Sequence, residues 1–478
     1  MTGLLPFQSA GALATGINNV WVLVVCFLIF FMQPGFAMLE AGQVRAKNVG
    51  NVLMKNLNDW VMGVIVFFIV GAGVTGLAGM ATASSAAVDF GSAFAHLSDT
   101  AASGWIGWFF GAVFAMTAAT IVSGAVAGRM KFSAYVLFAA FMTAIIYPVL
   151  PGFAWGGIGL LAGPGADNPG FLGEAIGAGY LDFAGATIVH MAGGIAGLVA
   201  AKMVGPRKGR YDENGNAQPI PGHSILFAVL GTLILAFGWY GFNVGTQATI
   251  VSVADDGSVA FMGAALGRVV LVTTLGMGGG GVAAMAVSAI WQGKPDPLWT
   301  ANGLLAGLVG VTGAVPHVTW WGGLLIGLIV GALVLPTFRW TVDSLKIDDV
   351  CGVFAVHGGA GGIGTILIPF LAAGSGGGWT ILGGSQILMQ VVGVLVVGTW
   401  TVLASMVALG IIDALVGLRV SEEEEERGLD ISEHGISTYP EFGTDSGAVS
   451  ADGGTAITDP GEVRADGGTS PAMGDDDE

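Results

Sequence analysis

Two histidines in the middle of long apolar stretches are the residues of this chain best placed to do chemistry. His190 lies eight residues after an aspartate in DFAGATIVHMAGGIAG (residues 182–197), and His357 lies eight residues after one in DVCGVFAVHGGAGGIG (residues 349–364). An ionisable side chain inside an apolar span is costly and commonly lines a cavity or a path. A neutral imidazole has one donor and one acceptor and titrates near neutral pH. The pair could therefore share a proton and guide a small hydrogen-bonding solute, or it could ligate haem iron from both sides.

The haem alternative requires width around the histidines, whereas the flanking glycine and alanine residues favour close packing of helices. Three aspartates begin the same two stretches. Asp182 is expected to cap a helix N-terminus, to act as a buried anion that favours a nearby cation, or to do both. For Asp348 and Asp349 the capping role is favoured.

Aromatic residues cluster towards one end of several apolar spans. Each of them alone is most simply explained as part of the aromatic belt at a membrane surface or as core. Together they could form a cation–π cage, worth up to about 2 kcal/mol when desolvated. The residues concerned are Phe110, Phe114, Trp155, Trp239 and Phe242.

The composition indicates an all-α integral membrane protein that lies in a lipid bilayer. Of 478 residues, 53% are hydrophobic and 10% are charged, and 82 are glycine; a soluble protein has about 25% charged residues and about 7% glycine. Only 16 Lys and Arg face 33 Asp and Glu, which argues against nucleic-acid binding. Cys26 and Cys351 give neither a disulfide framework nor a metal-ligand spacing.

Apolar stretches of about 20 residues predict eleven transmembrane helices. They run near 18–39, 54–78, 104–128, 132–151, 181–204, 222–245, 259–291, 298–314, 319–341, 350–373 and 384–417. Lysine and arginine are concentrated in the loops on one side, whereas the opposite loops near 79–103, 152–180, 246–258 and 374–383 carry none. The positive-inside rule therefore predicts a cell-membrane protein with the N-terminus outside and the C-terminus in the cytoplasm.

The two halves of the chain resemble each other. Besides the Asp-to-His stretches, FMQPGF at 31–36 is similar to FGWYGF at 237–242, which relates span one to span six and span five to span ten. Five helices per half is an odd number, so the halves must point in opposite directions. The pattern predicts two inverted five-helix repeats plus an eleventh helix, with a substrate path between the repeats.

The chain is expected to have three parts: a membrane domain (1–418), a cytoplasmic C-terminal segment (419–443) and an acidic disordered tail (444–478). Residues 419–478 hold 17 acids and 3 bases, a composition typical of disorder at the far end and of a halophilic archaeon. In residues 419–443, the packing of four apolar side chains is expected to stabilise the segment more than its charges do. These side chains are Leu429, Ile431, Ile436 and Tyr439. The five glutamates at 422–426 are expected to complement the basic loops.

Five stretches make the sequence similar to the ammonium transporter family (Amt, Mep and Rh proteins), in its Amt branch. They are residues 31–48 (FMQPGFAMLEAGQVRAKN), 182–209 (DFAGATIVHMAGGIAGLVAAKMVGPRKG), 238–246 (GWYGFNVGT), 348–364 (DDVCGVFAVHGGAGGIG) and 424–439 (EEERGLDISEHGISTY). The resemblance, which extends from about residue 18 to 442, implies a homotrimer with one pore per subunit. It also implies transport of ammonium or ammonia without enzyme activity or cofactor. Control by a cytoplasmic PII-type signal protein is implied as well, with residues 419–443 as the regulatory segment.

The resemblance also implies roles for individual residues. Phe110, Trp155 and Thr246 match the outer ammonium site, and Asp182 matches the aspartate near it. Phe114 and Phe242 match the gate, and His190 and His357 match the histidines that conduct ammonia. The sequence departs from the family pattern at Gly128 and Gly352, which stand where glutamate and aspartate are common, and at Asn302, which stands where some members have serine at the outer site.

Three alternatives remain open. An Rh-type gas channel shares the histidines, but that branch would predict an aliphatic residue at Trp155. An ammonium sensor shares the pore, but it would be expected to carry a folded signalling domain in place of a short polar tail. A bis-histidine haem protein belongs to a different class, and it would show a Soret band.

Overall fold

The computed structural model of the chain describes residues 9–98, 100 and 104–440. The chain divides into two units, Met1–Thr438 and Tyr439–Glu478, and only Tyr439 and Pro440 of the second are described. The expected disordered tail therefore lies outside the described residues, as do residues 441–443 of the expected regulatory segment.

Within the described residues, nine helices are long and apolar enough to cross a membrane. Two shorter helices, α8 and α10 below, occupy the remaining two predicted spans, so the structure agrees with eleven helices. The helices are α1 (Ala10–Gln43), α2 (Ala46–Thr82), α3 (Trp105–Val126), α4 (Phe132–Ala154), α5 (Ala186–Val204), α6 (Ile225–Thr246), α7 (Gly263–Gln292), α8 (Pro297–Thr312), α9 (Trp320–Ser344), α10 (Phe354–Phe370) and α11 (Gly384–Val416).

Two small hairpins lie between the helices. Strand β1 (Val251–Val253) pairs antiparallel with β2 (Val259–Phe261), with Val251 opposite Phe261. Strand β3 (Ala372–Ala373) pairs in the same way with β4 (Trp379–Thr380). Span seven was predicted from residue 259, but those first residues form β2 because the polar turn at 254–258 folds the chain back before the helix begins.

Helices α5 and α10 cross at very short range. A Cβ atom on Gly194 would lie 2.4 Å from the backbone nitrogen of Gly358, and one on Gly361 would lie 2.1 Å from the carbonyl oxygen of Ala186. Ala186, at the start of α5, thus meets Gly361 of α10, whereas Gly194, further along α5, meets Gly358, which is earlier in α10. The two helices therefore run in opposite directions, as the predicted inverted repeat requires.

Both helices begin in the same unusual way. An aspartate is followed three residues later by a glycine with positive φ, which is 96° at Gly185 and 70° at Gly352, a conformation that a residue with a side chain rarely adopts. A π-helical turn follows, at Ala186–Met191 and at Phe354–Gly359. Because the glycine redirects the chain, the helix of span five begins at residue 186, after the predicted 181.

Two short helices follow α11 on the side of the molecule that carries the basic loops, called here the basic face. They are α12 (Glu422–Arg427), which begins with a capping box between Ser421 and Glu424, and α13 (Leu429–His434). The buried carboxylate of Glu425 pairs with Arg419 at 2.6 Å. Lys208 pairs with two other glutamates of the run, so the glutamates do meet basic residues.

The contacts of α13 are mainly polar. Asp430 is buried and accepts hydrogen bonds from the Asn51 backbone N–H (2.9 Å) and the Thr438 hydroxyl (2.7 Å). Leu429 is buried as expected, but Ile436 is 48% exposed. Buried carboxylates thus hold this segment together with the apolar contacts of Leu429.

Candidate functional site

The two histidines meet in the centre of the molecule. Each sits in its π-helical turn, which widens the helix and is common at functional sites. The Nδ1 atoms of His190 and His357 are 3.2 Å apart, and the rings are stacked with centroids 5.3 Å apart. Since a hydrogen bond between two ring nitrogens needs one donor and one acceptor, the pair shares a single proton between the two Nδ1 atoms.

His190 is held by an aromatic neighbour that sequence reasoning placed elsewhere. Trp239 was expected near a helix end, but its ring stacks on His190 at 4.7 Å with 13° between the planes. The indole nitrogen of Trp239 donates to the Thr312 hydroxyl at 2.9 Å. The Nε2 atom of His190 is buried and has no hydrogen-bond partner within the described part of the chain. This nitrogen is therefore available to a small solute.

On one side of the histidines the path is closed by aromatic rings. The centroids of Phe114 and Phe242 are 4.2 Å apart, and Phe242 lies 5.2 Å from His190. Beyond them, Phe110 contacts Phe114 at 4.8 Å, and Trp155 meets Phe114 edge-on at 6.0 Å. Four aromatic residues singled out from the sequence thus form one continuous cluster, called here the aromatic end.

Thr246 lies one helical turn beyond Phe242, on the same helix α6. Its hydroxyl donates to the Phe242 carbonyl at 2.8 Å. This bond uses the hydroxyl proton and leaves the oxygen lone pairs to accept. Thr246 can therefore accept a hydrogen bond from a cation but has no proton to offer to an anion.

Asp182 is a helix cap with a saturated carboxylate. Its two oxygens accept from the backbone N–H groups of residues 185, 186, 187 and 188 and from the Thr187 hydroxyl, at 2.6–3.1 Å. Its carbonyl oxygen accepts from the Trp155 indole nitrogen at 2.7 Å. Asp182 thus holds both the start of α5 and the orientation of Trp155, while the carboxylate has no free lone pair for a cation.

The two aspartates before α10 also bind groups of the protein itself. Asp349 accepts from the N–H groups of Val353 (2.9 Å) and Phe354 (2.8 Å), which confirms the capping expectation for Asp349, and burial raises its pKa to about 6. The capping expectation is wrong for Asp348, because its carboxylate binds Arg207 instead of the first N–H groups of α10. Asp348 forms an ion pair with Arg207 at 2.8 Å. Burial alone would raise the pKa of Asp348, but the hydrogen bonds and charge of Arg207 hold it well below its usual range.

On the other side of the histidines lies a small cavity of about 20 Å³, called here the inner cavity, which has room for one water-sized molecule. Its polar lining comes from Glu40, Asn302 and His357, and its apolar lining includes Phe36 and Leu305. The assignment of Asn302 to the outer site is therefore wrong. Asn302 lies near the start of α8, next to the basic face, whereas Thr312 at the other end of that helix reaches the level of Trp239.

Glu40 is the site residue that sequence reasoning missed. It is buried, and its carboxylate accepts from the Ser123 hydroxyl at 2.6 and 2.7 Å and from the Asn56 amide at 3.2 Å. The signal was weak, because the predicted span ended at residue 39 and left Glu40 just outside it, whereas the helix continues to Gln43. Glu40 lies within residues 31–48, which were used only for their resemblance to the family.

Known proteins share these features along nearly the whole chain. The sequence model described as the Ammonium Transporter Family matches residues 20–439. An ammonium transporter Amt1 of Haloferax mediterranei is 64% identical over 95% of this chain and 86% of its own length. An ammonium transporter Amt2 of Archaeoglobus fulgidus is 39% identical over 89% of each chain.

A solved structure described as a sensor Amt protein superposes with a TM-score of 0.75 at 34% identity, covering 89% of this chain and all of that one. The structure of Mep2 from Saccharomyces cerevisiae, 22% identical with a TM-score of 0.67 over 85% of this chain and 90% of that one, shares the fold. The apolar helices and these relatives make the chain a multi-pass membrane transporter and not an enzyme. The chain belongs to the ammonium transporter family.

Proposed function

We propose that this chain binds the ammonium ion at the aromatic end and passes neutral ammonia along His190 and His357 towards the inner cavity. The contact between the two imidazoles carries the proposal, because it joins an aromatic cluster on one side to a polar cavity on the other. The two stages, recognition and passage, use different properties of ammonium.

Recognition at the aromatic end rests on charge and on N–H groups. The faces of Trp155 and Phe110 attract a cation, and the Thr246 hydroxyl oxygen accepts from it. Potassium is similar in size but has no N–H donor, so a site that requires directed hydrogen bonds disfavours it. The saturated Asp182 acts here by holding Trp155 in place.

Passage beyond this point requires the neutral molecule. The contacting rings of Phe114 and Phe242 must move apart, and an unpaired ion between them would face a desolvation cost of tens of kcal/mol. Ammonium can instead give its proton to water at the aromatic end, and the ammonia that results can reach the buried Nε2 of His190. The direct contact of the two Nδ1 atoms also speaks against the haem alternative, because iron between them would have to push apart rings packed against Trp239 and Phe242.

Assembly, orientation and control belong to the same proposal. A homotrimer with one pore per subunit is expected from the family. The basic loops support a cytoplasmic C-terminus and an outer N-terminus. Helices α12 and α13, which contact the basic face through Glu425 and Asp430, support a regulatory role for residues 419–443 together with a PII-type protein.

A second candidate function is ammonium sensing, favoured by the 34% identity to a sensor Amt protein. The relatives named as transporters are more similar in sequence, up to 64% identity, so transport is preferred. The Trp155 ring at the aromatic end argues against an Rh-type channel. The two remaining functions differ in flux and can be separated directly.

The test is uptake of labelled methylammonium into vesicles that contain the purified protein. We expect saturable uptake that ammonium inhibits and that an equal concentration of potassium does not. Empty vesicles are the control. Absent uptake with retained ammonium binding would favour the sensor, and equal inhibition by potassium would contradict the recognition stage.

A further inference from the structure

We propose that the inner cavity is a second ammonium-binding site, in which Glu40 supplies the negative charge and Asn302 accepts an N–H group of the ion. The inference rests on the proposed function and concerns the other end of the path. Three observations on the residues lining the cavity carry it.

First, Glu40 is a buried carboxylate without a cationic partner. Its side chain is 3% exposed, and none of the ion pairs among the described residues includes it. The nearby cation Lys55, which directly precedes Asn56 in α2, is buried and acts on Glu40 only through space, because its ammonium group donates to the Met130 carbonyl at 3.1 Å. A buried carboxyl group with no cation in contact favours its neutral form, so a cation that enters the cavity would stabilise the ionised form of Glu40.

Second, the Glu40 carboxylate has acceptor positions left. A carboxylate offers about four lone pairs, and only the Ser123 hydroxyl and the Asn56 amide donate to it. Both donors approach from the protein side, from α3 and α2, and they fix the carboxylate at the cavity wall. The situation is opposite to that of Asp182, where the protein fills every position.

Third, Asn302 lines the same cavity without a hydrogen bond to any described residue, although it is only 3% exposed. A buried amide that lacks partners is costly, and its oxygen can accept an N–H group. His357 lies on the same wall. A carboxylate, an amide oxygen and an imidazole around one cavity provide both the charge and the directed acceptors that ammonium requires, whereas the aromatic end offers mainly ring faces.

The experiment measures methylammonium influx into vesicles of defined orientation, with substrate added at the basic face or at the aromatic end. Glu40→Gln keeps the size of the side chain, and Asn302→Leu removes the second acceptor. We expect each variant to raise the half-saturating concentration at the basic face about tenfold, as for a lost hydrogen bond to a charged group, with no change at the aromatic end. Asp413→Asn removes an exposed carboxylate at the basic-face end of α11 and is the matched control, expected to change neither value.

Two results would overturn the second site while leaving the proposed function intact: unchanged half-saturation at the basic face in both variants, or competition by potassium as strong as that by ammonium at that face. If the wild type does not transport at all, both proposals fail together. Trimer elution and thermal unfolding show whether the variants fold, and Asn302→Leu retains the test if Glu40→Gln does not assemble.

Discussion

Helices α5 and α10 begin with the same nine-residue motif, but the side chains around the two motifs are very different. In both, an aspartate caps the helix, a glycine with positive φ follows three residues later, and a histidine sits in a π-helical turn eight residues after the aspartate. The backbone conformations of the two motifs therefore match. The side chains that surround them do not.

The difference between the two helices lies in what covers each histidine. His190 is enclosed by Trp239 and Phe242 and faces the aromatic end, whereas His357 faces the inner cavity with Glu40. The repeat thus brings two identical imidazoles together, and residues outside the repeated motif make one side apolar and the other polar. The repeated motif thus sets the position of each histidine, while the residues around it set selectivity.

The largest effect is expected from removing a member of the imidazole pair. His190→Ala deletes the unpartnered Nε2 and the hydrogen bond to His357, so we expect methylammonium uptake to fall about a hundredfold, as for two neutral hydrogen bonds lost together. Uptake into vesicles measures the effect, and trimer elution should be unchanged. His96→Ala, outside the pair, is the control. Uptake and potassium exclusion like those of the wild type would remove the role of the histidines.

The aromatic end can be tested separately from the histidines. Trp155→Leu removes the ring face that meets the cation before it loses its proton, so the half-saturating ammonium concentration should rise about tenfold with little change in maximal uptake. Trp155→Phe should recover part of the affinity. A collapse of the maximal rate at unchanged affinity would show that Trp155 acts in passage and not in capture.

A smaller effect is expected at the basic face, from the segment after α11. Truncation after Val420 removes α12 and α13 together with the contacts of Glu425 and Asp430, so uptake or its control by a PII-type protein should fall severalfold. Truncation after Thr444 should leave both intact. Uptake before and after an ammonium pulse compares the two chains, and identical behaviour would end the case for a regulatory segment.

The smallest effect is expected from Asp349, which caps α10, and it concerns the stability of the fold and not transport. Because the pKa of Asp349 is raised from 3.8 to about 6, the folded protein keeps a proton that the unfolded chain releases. Asp349 therefore favours folding fully below pH 3.8, and this contribution is lost as pH rises through 6. Two units of pKa correspond to about 3 kcal/mol.

The measurement for this cap is the difference in unfolding free energy between wild type and Asp349→Asn from pH 4 to pH 7, in detergent. The wild type should lose stability relative to the variant across that window. Asp348 titrates below it, since its pKa is held low by Arg207. Parallel stability curves would mean that Asp349 does not carry the proton.

Sequence reasoning predicted what local patterns determine. Apolar length gave the helices, and the repeated Asp-to-His interval gave the histidine pair, because an approximate twofold axis must bring equivalent residues together. The gate pair, Phe114 and Phe242, came from the family resemblance, and their rings do contact each other.

What sequence reasoning missed depends on the rotation of helices about their axes. Glu40 meets Ser123 from 83 residues away, and Trp239 turns towards His190 instead of a membrane surface. Neither contact leaves a trace in local spacing. Asn302 was placed on the wrong side because its role was taken from the resemblance and not from its position at the start of α8.

The fixed interval between cap and histidine has a consequence for how chains of this kind can change in length. One residue inserted between Gly185 and His190 would turn the imidazole by about 100° around the helix axis and move it by about 1.5 Å. The Nδ1 contact of 3.2 Å with His357 would then be lost, and no adjustment of a distant loop could restore it. Insertions and deletions should therefore be tolerated in the exposed turn at 212–217 and be excluded from the two Asp-to-His intervals, where even a single residue would place an imidazole against the wrong neighbour.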